Sequence, residues 1–523
     1  MLALFCLALV GGCLDTQFSF LPAYKTIIMR ELVKLSLFAA ALLLLTDREG
    51  PWRARLKLTL LALALTCLLA WAMHALAGRT PTREVLRLLR RSPGILLWAA
   101  ALWLASPMLL NRDKRYGRRM QGAVIALCAY GAFCFASAAA SSVPQGRTGS
   151  LQLFYRDRVA LFLILLPWLR AAQASARLRI RCARFTVYFF ALFVLLAALV
   201  TVLMLAGGEQ VHARLFALGL IHMEGPGADP FLPPLRLTFP MLHFNRTALF
   251  MLVATMTMVV AFFARGLKRA PRAACLSLAV LAFVLTIETF TRGAIAALVA
   301  GLGLLGCLLS RRLPVVLAGA VVLLLLLLLL PATQRGYLLS TLHYSTYEPR
   351  GRMTSMKERR LAWSWGLEQV ARHPLTGLGF GPRVIRLAYQ AYAEQTGNRR
   401  MLAMIKAGLD MQHLHNTPLE IAAESGLPAL FAFAAFCLLR WWLLLDVWRG
   451  ARGPDRSRAA ARIAFEASLV VFSMIFYMLK LNAGFIIWYV WAYLLSASEA
   501  ALRDRTAAAR PADAEAPARK TAS

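Results

Sequence analysis

Apolar and polar positions along this chain fall into long blocks, not into the period of two that a half-buried sheet would show. Apolar runs of about 17–25 residues recur, each long enough to cross a bilayer's hydrocarbon core as an α-helix. They predict helices near residues 1–14, 32–46, 58–78, 93–110, 120–141, 159–171, 185–206, 246–265, 273–290, 293–309, 313–332, 428–447, 464–480 and 484–500. The first, second and sixth runs are short, so 12–14 spans are expected. The fold class is thus an all-α polytopic membrane protein with one long polar interval. Residues 1–332 form the N-terminal part of the helix bundle, 333–427 an extracytoplasmic loop domain, 428–502 the last membrane helices and 503–523 a disordered cytoplasmic tail. The run from Met1 has no basic segment before it, and no cleavable signal peptide is expected.

Composition strengthens the membrane reading. The chain is 59% hydrophobic and carries a net charge of +34. In a soluble protein that charge would point to nucleic acid, but here most Arg and Lys lie in short loops between apolar runs and no nucleic-acid-binding module accompanies them. Their expected partners are anionic membrane lipids. The basic segments Arg48–Lys57, Arg112–Arg119, Arg177–Arg184, Lys268–Arg272, Arg311–Arg312 and Arg449–Arg462 fall on one side of the count, which the positive-inside rule makes the cytoplasm. The segment Arg83–Arg91 falls on the other side, and its spacing suits a helix lying on the membrane surface. All nine cysteines sit in or beside apolar runs, none in a C-x-x-C pair, and read as small core residues.

The chemistry gathers on the outer side, where seven of the eight histidines lie. At the end of the long polar interval, Gln412-His413-Leu414-His415-Asn416-Thr417-Pro418-Leu419-Glu420 precedes an apolar run. Thr417 can cap a helix, Pro418 suits its first turn and Glu420 completes a capping box, while Gly426 and Pro428 end that short helix and begin the next. Two imidazoles therefore stand at the mouth of a membrane helix. Arg292 lies between two apolar runs at the same face, and Arg360 opens a helix-like stretch, Met356–Arg372. Arg156, Arg158 and Arg246 mark other outer helix ends. For each arginine the plain alternative is an interfacial anchor, a solvated basic face or, for Arg156 and Arg158, pairing with Asp157. A Gly-rich turn, Gly377-Leu378-Gly379-Phe380-Gly381, follows no strand, which excludes a dinucleotide fold. Converging arginines suit a phosphate or pyrophosphate, and a nearby histidine suits the activation of a hydroxyl. Outer carboxylates are scattered without a D-x-D motif, so neither a metal nor another cofactor is expected.

Three of these segments, in this order, resemble motifs of the O-antigen ligase/polymerase superfamily of bacterial membrane glycosyltransferases. They are Thr289-Phe290-Thr291-Arg292-Gly293-Ala294, then Arg360-Leu361-Ala362-Trp363 with His373-Pro374-Leu375-Thr376-Gly377-Leu378-Gly379, and then His415-Asn416 followed by Gly426. The last motif position, Ala429, stands where the family usually has Gly, Thr or Tyr. The resemblance spans about residues 245–447. It implies a metal-independent inverting glycosyltransferase of the bacterial inner membrane, working at the periplasmic face. The donor would be a polysaccharide on undecaprenyl diphosphate, and the acceptor a sugar hydroxyl of lipid A–core. Position by position, His415 matches the histidine that activates the acceptor, and Arg292 and Arg360 match the arginines that engage the diphosphate. His413, Asn416, Arg156, Arg158 and Arg246 are supporting positions.

The leading expectation is therefore O-antigen ligation. Polymerisation onto a lipid-linked acceptor and protein O-glycosylation are alternatives, though the Trp-Pro-His-Asn typical of the latter group is missing. From a different class, a lipid-linked sugar transporter would place its charges near the bilayer midplane and show repeat symmetry. Here they gather at one face.

Overall fold

The computed structural model describes residues 52–76, 94–110, 117–141, 176–218, 220–223, 235–241, 244–264, 267–309, 355–406, 413–475 and most of 490–502. The predicted spans 1–14, 32–46, 159–171 and 313–332, the segment Arg83–Arg91, and the site candidates Arg156 and Arg158 lie outside the described residues.

The first helices are α1 (Trp52–Leu76), α2 (Gly94–Leu110) and α3 (Arg118–Ala139). They are followed by α4 (Ala176–Ala206), the short α5 (Glu209–Ala217), α6 (Phe244–Phe262), α7 (Arg269–Glu288) and α8 (Arg292–Leu309). The polar interval supplies α9 (Ser355–Arg372), α10 (Pro382–Thr396) and α11 (Arg399–Lys406), before the long α12 (Thr417–Gly450) and α13 (Gly453–Ile475). Among the described residues, six helices are long and apolar enough to cross a membrane. The all-α polytopic class holds, with one small addition. Strands β1 (Ile221–Met223) and β2 (Leu235–Leu237) pair antiparallel, with Ile221 opposite Leu237.

The bundle is sorted by burial. Every residue of α6 from Thr247 to Met258 is buried, as expected of a helix that is apolar all round and sits at the centre. α4 instead leaves Tyr188, Leu192, Leu195, Leu199 and Val202 exposed, an apolar face that lipid would cover. α8 and α13 approach closely at Gly301, where a side chain would run into Ser468 and the Ala464 carbonyl. Close approach at small residues is the usual basis of helix association in lipid, where burial of apolar surface drives little.

Polar contacts define the two ends of the bundle. At one end Arg119 pairs with Asp446, Glu499 accepts the Gly117 N–H at 2.6 Å, and Arg458 Nε donates to the Phe263 carbonyl at 3.3 Å. Arg55 belongs to the same end. Pro107 removes an N–H from α2 and frees the Trp103 carbonyl, which then accepts from Ser106 Oγ at 2.7 Å and from Arg55 Nη2 at 3.3 Å. The basic segments at 52–57, 117–119, 268–272 and 449–462 thus share one end. These segments differ from the expected loops: residues 52–57, 118–119, 269–272, Arg177–Arg184 and most of Arg449–Arg462 are helical, because their basic residues lie on helix ends and some bond or stack against neighbours, as Arg456 does over Trp448.

Between the two ends, Arg440 of α12 and Glu466 of α13 form a fully buried ion pair. The guanidinium lies 4.2 Å from the Trp491 ring centre and 4.8 Å from that of Phe436.

Candidate active site

At the opposite end α12 begins at the predicted histidines, and its entry differs from the capping box expected there. Asn416, not Thr417, is the N-cap: its Oδ1 accepts the Leu419 N–H at 2.9 Å. Its Nδ2 donates to the Met474 carbonyl at 3.0 Å, tying the start of α12 to the end of α13. Glu420 turns away from the cap and is completely buried. One carboxylate oxygen accepts from His413 Nδ1 at 2.5 Å and the other from the Leu414 N–H at 3.0 Å. The reason is the backbone of His415, whose φ of 53° reverses the chain and lays Leu414 over the first turn of the helix.

Leu414 is held on every side. Its carbonyl accepts from Trp363 Nε1 at 2.7 Å, and its side chain is fully buried with Ala362, Trp365, Ile385 and Tyr389 in a core separate from that of the membrane bundle. Gly366 leaves room for it, since a Cβ there would come within 2.8 Å of Leu414 Cδ1. Between the fixed residues Leu414 and Asn416, His415 is exposed, whereas His413 is 7% exposed. The arrangement presents one imidazole and buries the other. It does so at the N-terminus of α12, where the helix dipole is positive.

The Gly-rich turn has a structural explanation. Gly377, Gly379 and Gly426 all have positive φ, of 62°, 117° and 80°. The turn docks on the break in α12: Leu378 N–H donates to the Ala423 carbonyl at 2.8 Å, Gly379 N–H to that of Glu424 at 3.0 Å, and Leu427 N–H to that of Pro374 at 2.7 Å. Glu424 Oε1 accepts the Gly381 N–H at 3.1 Å, while Ser137 and Ser141 of the α3 end donate to the Glu424 and Leu378 carbonyls. Irregular backbone at membrane depth is tolerated only where its polar groups are met in this way. A side chain at Gly377 would collide with the Glu424 carbonyl and lie 2.6 Å from the Ser425 nitrogen. Gly377→Ala is expected to cost about 1–2 kcal/mol from the left-handed backbone alone, and more from the collision. The expected observation is a lower melting temperature together with faster hydrogen exchange in residues 374–381.

Arg292 is the first residue of α8. The turn before it is built on Phe290, at φ 51°. Among the described residues, Phe290 and His415 are the non-glycine residues with positive φ. Strain of this kind, about 1–3 kcal/mol each, gathers at functional sites. The Phe290 turn is held by Arg236 of β2, a buried residue that sequence reasoning missed. Its guanidinium donates to the Thr289 carbonyl at 3.1 Å and the Phe290 carbonyl at 3.2 Å, and lies 3.7 Å from the Phe244 ring centre. A cation at the C-terminus of α7 is favoured by the helix dipole. Thr291 Oγ1 donates to Asn245 Oδ1 at 3.2 Å, which brings neighbouring Arg246 of α6 to the same hairpin.

The separate segments lie at one end of the bundle. Arg360 is exposed on α9 one turn before Trp363, the residue bonded beside His415, so Arg360 and His415 belong to one neighbourhood. α8 and α13 pack antiparallel with Gly301 against Ser468. Arg292 lies about 13 Å from that contact along α8, and Met474 about 9 Å in the same direction along α13. Arg292 is thus at the level of the Asn416–Met474 bond. α6, α8 and α12 all start at this end, adding three positive dipole termini to Arg246, Arg292 and Arg360. Between α9 and α10, Glu368 accepts from Tyr392 at 2.6 Å and Arg372 at 2.5 Å, and its carboxylate raises the Tyr392 phenol above its ordinary range. Among the described residues no group of three or more His, Cys, Asp or Glu converges as metal ligands would.

No curated protein matches the chain. Residues 277–434 match the family model described as O-antigen ligase, a stretch running from α7 through the Arg292 hairpin, the loop helices and the His415 turn to past the break in α12. Across these residues, under a third of the chain, the protein is similar to the O-antigen ligase family, a likeness that points to a membrane enzyme of glycosyltransferase type.

Proposed function

We propose that this protein is an O-antigen ligase of the bacterial inner membrane. It transfers a polysaccharide from undecaprenyl diphosphate to a sugar hydroxyl of lipid A–core at the periplasmic face. The observation that carries the reading is the fixed, exposed His415 at the bundle end that also holds Arg292, Arg246 and Arg360. A leaving diphosphate develops negative charge, which arginines and helix N-termini stabilise without reorganising. A hydroxyl acceptor loses a proton as the glycosidic bond forms, and His415 is placed to accept it. In an inverting reaction the acceptor oxygen attacks the anomeric carbon from the face opposite the diphosphate. The glycosyl–oxygen bond to the diphosphate breaks and undecaprenyl diphosphate departs. Every group in this step is supplied by protein and substrates, with no metal.

Ala429, the departure from the family pattern, is fully buried in the bundle core. A small residue packs there, and the departure itself leaves polymerisation as the alternative to ligation. A deletion strain separates the two. Loss of a ligase leaves polymer on the carrier lipid with unsubstituted core. Long polymer still attached to lipid A–core in the mutant would refute ligation. Arg292→Ala is expected to raise the donor KM or lower kcat by roughly 10–100-fold, the range for losing a charge-assisted hydrogen bond, with Arg292→Lys intermediate. Titration with lipid-linked donor checks this.

A further inference from the structure

We propose that Glu420 is a positioning residue for His415, acting through a buried clamp that holds the left-handed turn in place. The inference rests on the transfer reading above but concerns a residue outside it. Glu420 is completely buried in the first turn of α12, where Asn416 is the side chain that caps the helix. Its two oxygens reach the two residues before His415: one accepts from the His413 ring at 2.5 Å, the other from the Leu414 N–H at 3.0 Å. A carboxylate is the group that can accept both bonds at once. The Trp363 indole fixes the Leu414 carbonyl from the opposite side, and Asn416 is fixed as helix cap and by Met474.

His415 therefore has both its chain neighbours pinned while its own side chain is exposed. A non-glycine residue at φ 53° relaxes toward negative φ unless its surroundings forbid it. Glu420 is the part of those surroundings that comes from inside α12 itself, so it sets the angle between that helix and the imidazole. His413, on this account, is the anchor that Glu420 grips, which explains why one histidine of the pair is buried and the other exposed.

Three variants test the clamp: Glu420→Ala, Glu420→Gln and Trp363→Phe. Each is measured in proteoliposomes for transfer and by hydrogen–deuterium exchange of the peptide covering 413–419. The expected result is a kcat at least 10-fold lower in Glu420→Ala, with donor KM within twofold of wild type and a lower melting temperature, since the His413 ring and the Leu414 N–H lose a buried acceptor. Glu420→Gln, which keeps an acceptor oxygen, recovers part of the loss. Trp363→Phe, which keeps the packing but removes the Leu414 bond, shows a smaller loss of the same kind. The Leu414 amide exchanges at least 10-fold faster in Glu420→Ala while the rest of α12 stays protected. Wild-type kcat in Glu420→Ala would overturn the proposal. So would a loss of kcat, KM and melting temperature together in all three variants, which would mark a purely structural role. If the wild-type protein itself transfers nothing, the transfer reading fails, and the exchange data alone decide on the clamp: unchanged Leu414 exchange refutes it.

Discussion

His415→Ala is expected to lower the transfer rate by about 10²–10⁴-fold, the contribution typical of a positioned general base. The chain should remain folded and bind donor with near wild-type affinity. The reasoning starts from exposure. His415 protrudes from a turn whose packing is carried by its neighbours, Leu414 in the loop-domain core and Asn416 in the helix cap. Removing an exposed imidazole leaves those contacts in place and relieves no buried charge. Alanine also tolerates left-handed φ poorly, at about 1–2 kcal/mol, so His415→Asn is the better-controlled companion, since asparagine adopts that region readily. Both variants should be equally inactive in single-turnover transfer. Full activity in His415→Asn would move the base elsewhere and leave the histidine as a backbone device.

The second large effect concerns stability. Arg440 and Glu466 face each other where α12 and α13 pack, fully buried, and Arg440 Nε and Nη1 find no other partner among the described residues. Glu466→Ala would leave an uncompensated guanidinium against Trp491 and Phe436, and breaking a buried pair on one side typically costs about 3–5 kcal/mol. The expected outcome is a markedly lower melting temperature in detergent and poor expression. Replacing both residues with apolar side chains of similar volume, Arg440→Met with Glu466→Leu, should restore most of the loss, because it removes the desolvation cost along with the attraction. A double variant as unstable as the single one would show that the pair does more than join two helices.

Much of this architecture was legible in residue pattern, and the failures have physical causes. The spans over α3, α6, α7 and α8 follow from apolar length alone, within a few residues at each end. α13 begins at Gly453, eleven residues before the expected 464, because its first turns are basic and their arginines bond or stack against neighbouring carbonyls and rings. The ribbon escaped notice because three-residue strands carry no periodicity, and with it went Arg236. A charged residue inside each of two apolar runs is the sequence signal for Arg440 and Glu466.

At the candidate site, the motifs single out His415, Arg292 and Arg360, but spacing misassigns the first turn of α12. T-P-L-E fits a capping box, and nothing in the sequence reveals that His415 is left-handed and redirects Glu420. The Gly-rich turn similarly resembles a ligand cradle, whereas its glycines are needed for backbone to approach backbone. Local pattern identifies which residues are unusual. Only the packing says what they are unusual for.

The most direct test of the account is transfer by the purified protein in proteoliposomes, supplied with an undecaprenyl-diphosphate-linked polysaccharide and lipid A–core and no divalent metal. The prediction is glycan-modified lipid A–core formed in equal amount with undecaprenyl diphosphate, with the anomeric configuration of the new linkage inverted relative to the donor. Donor that crosses the bilayer unchanged, or that is elongated while the core stays bare, would contradict it.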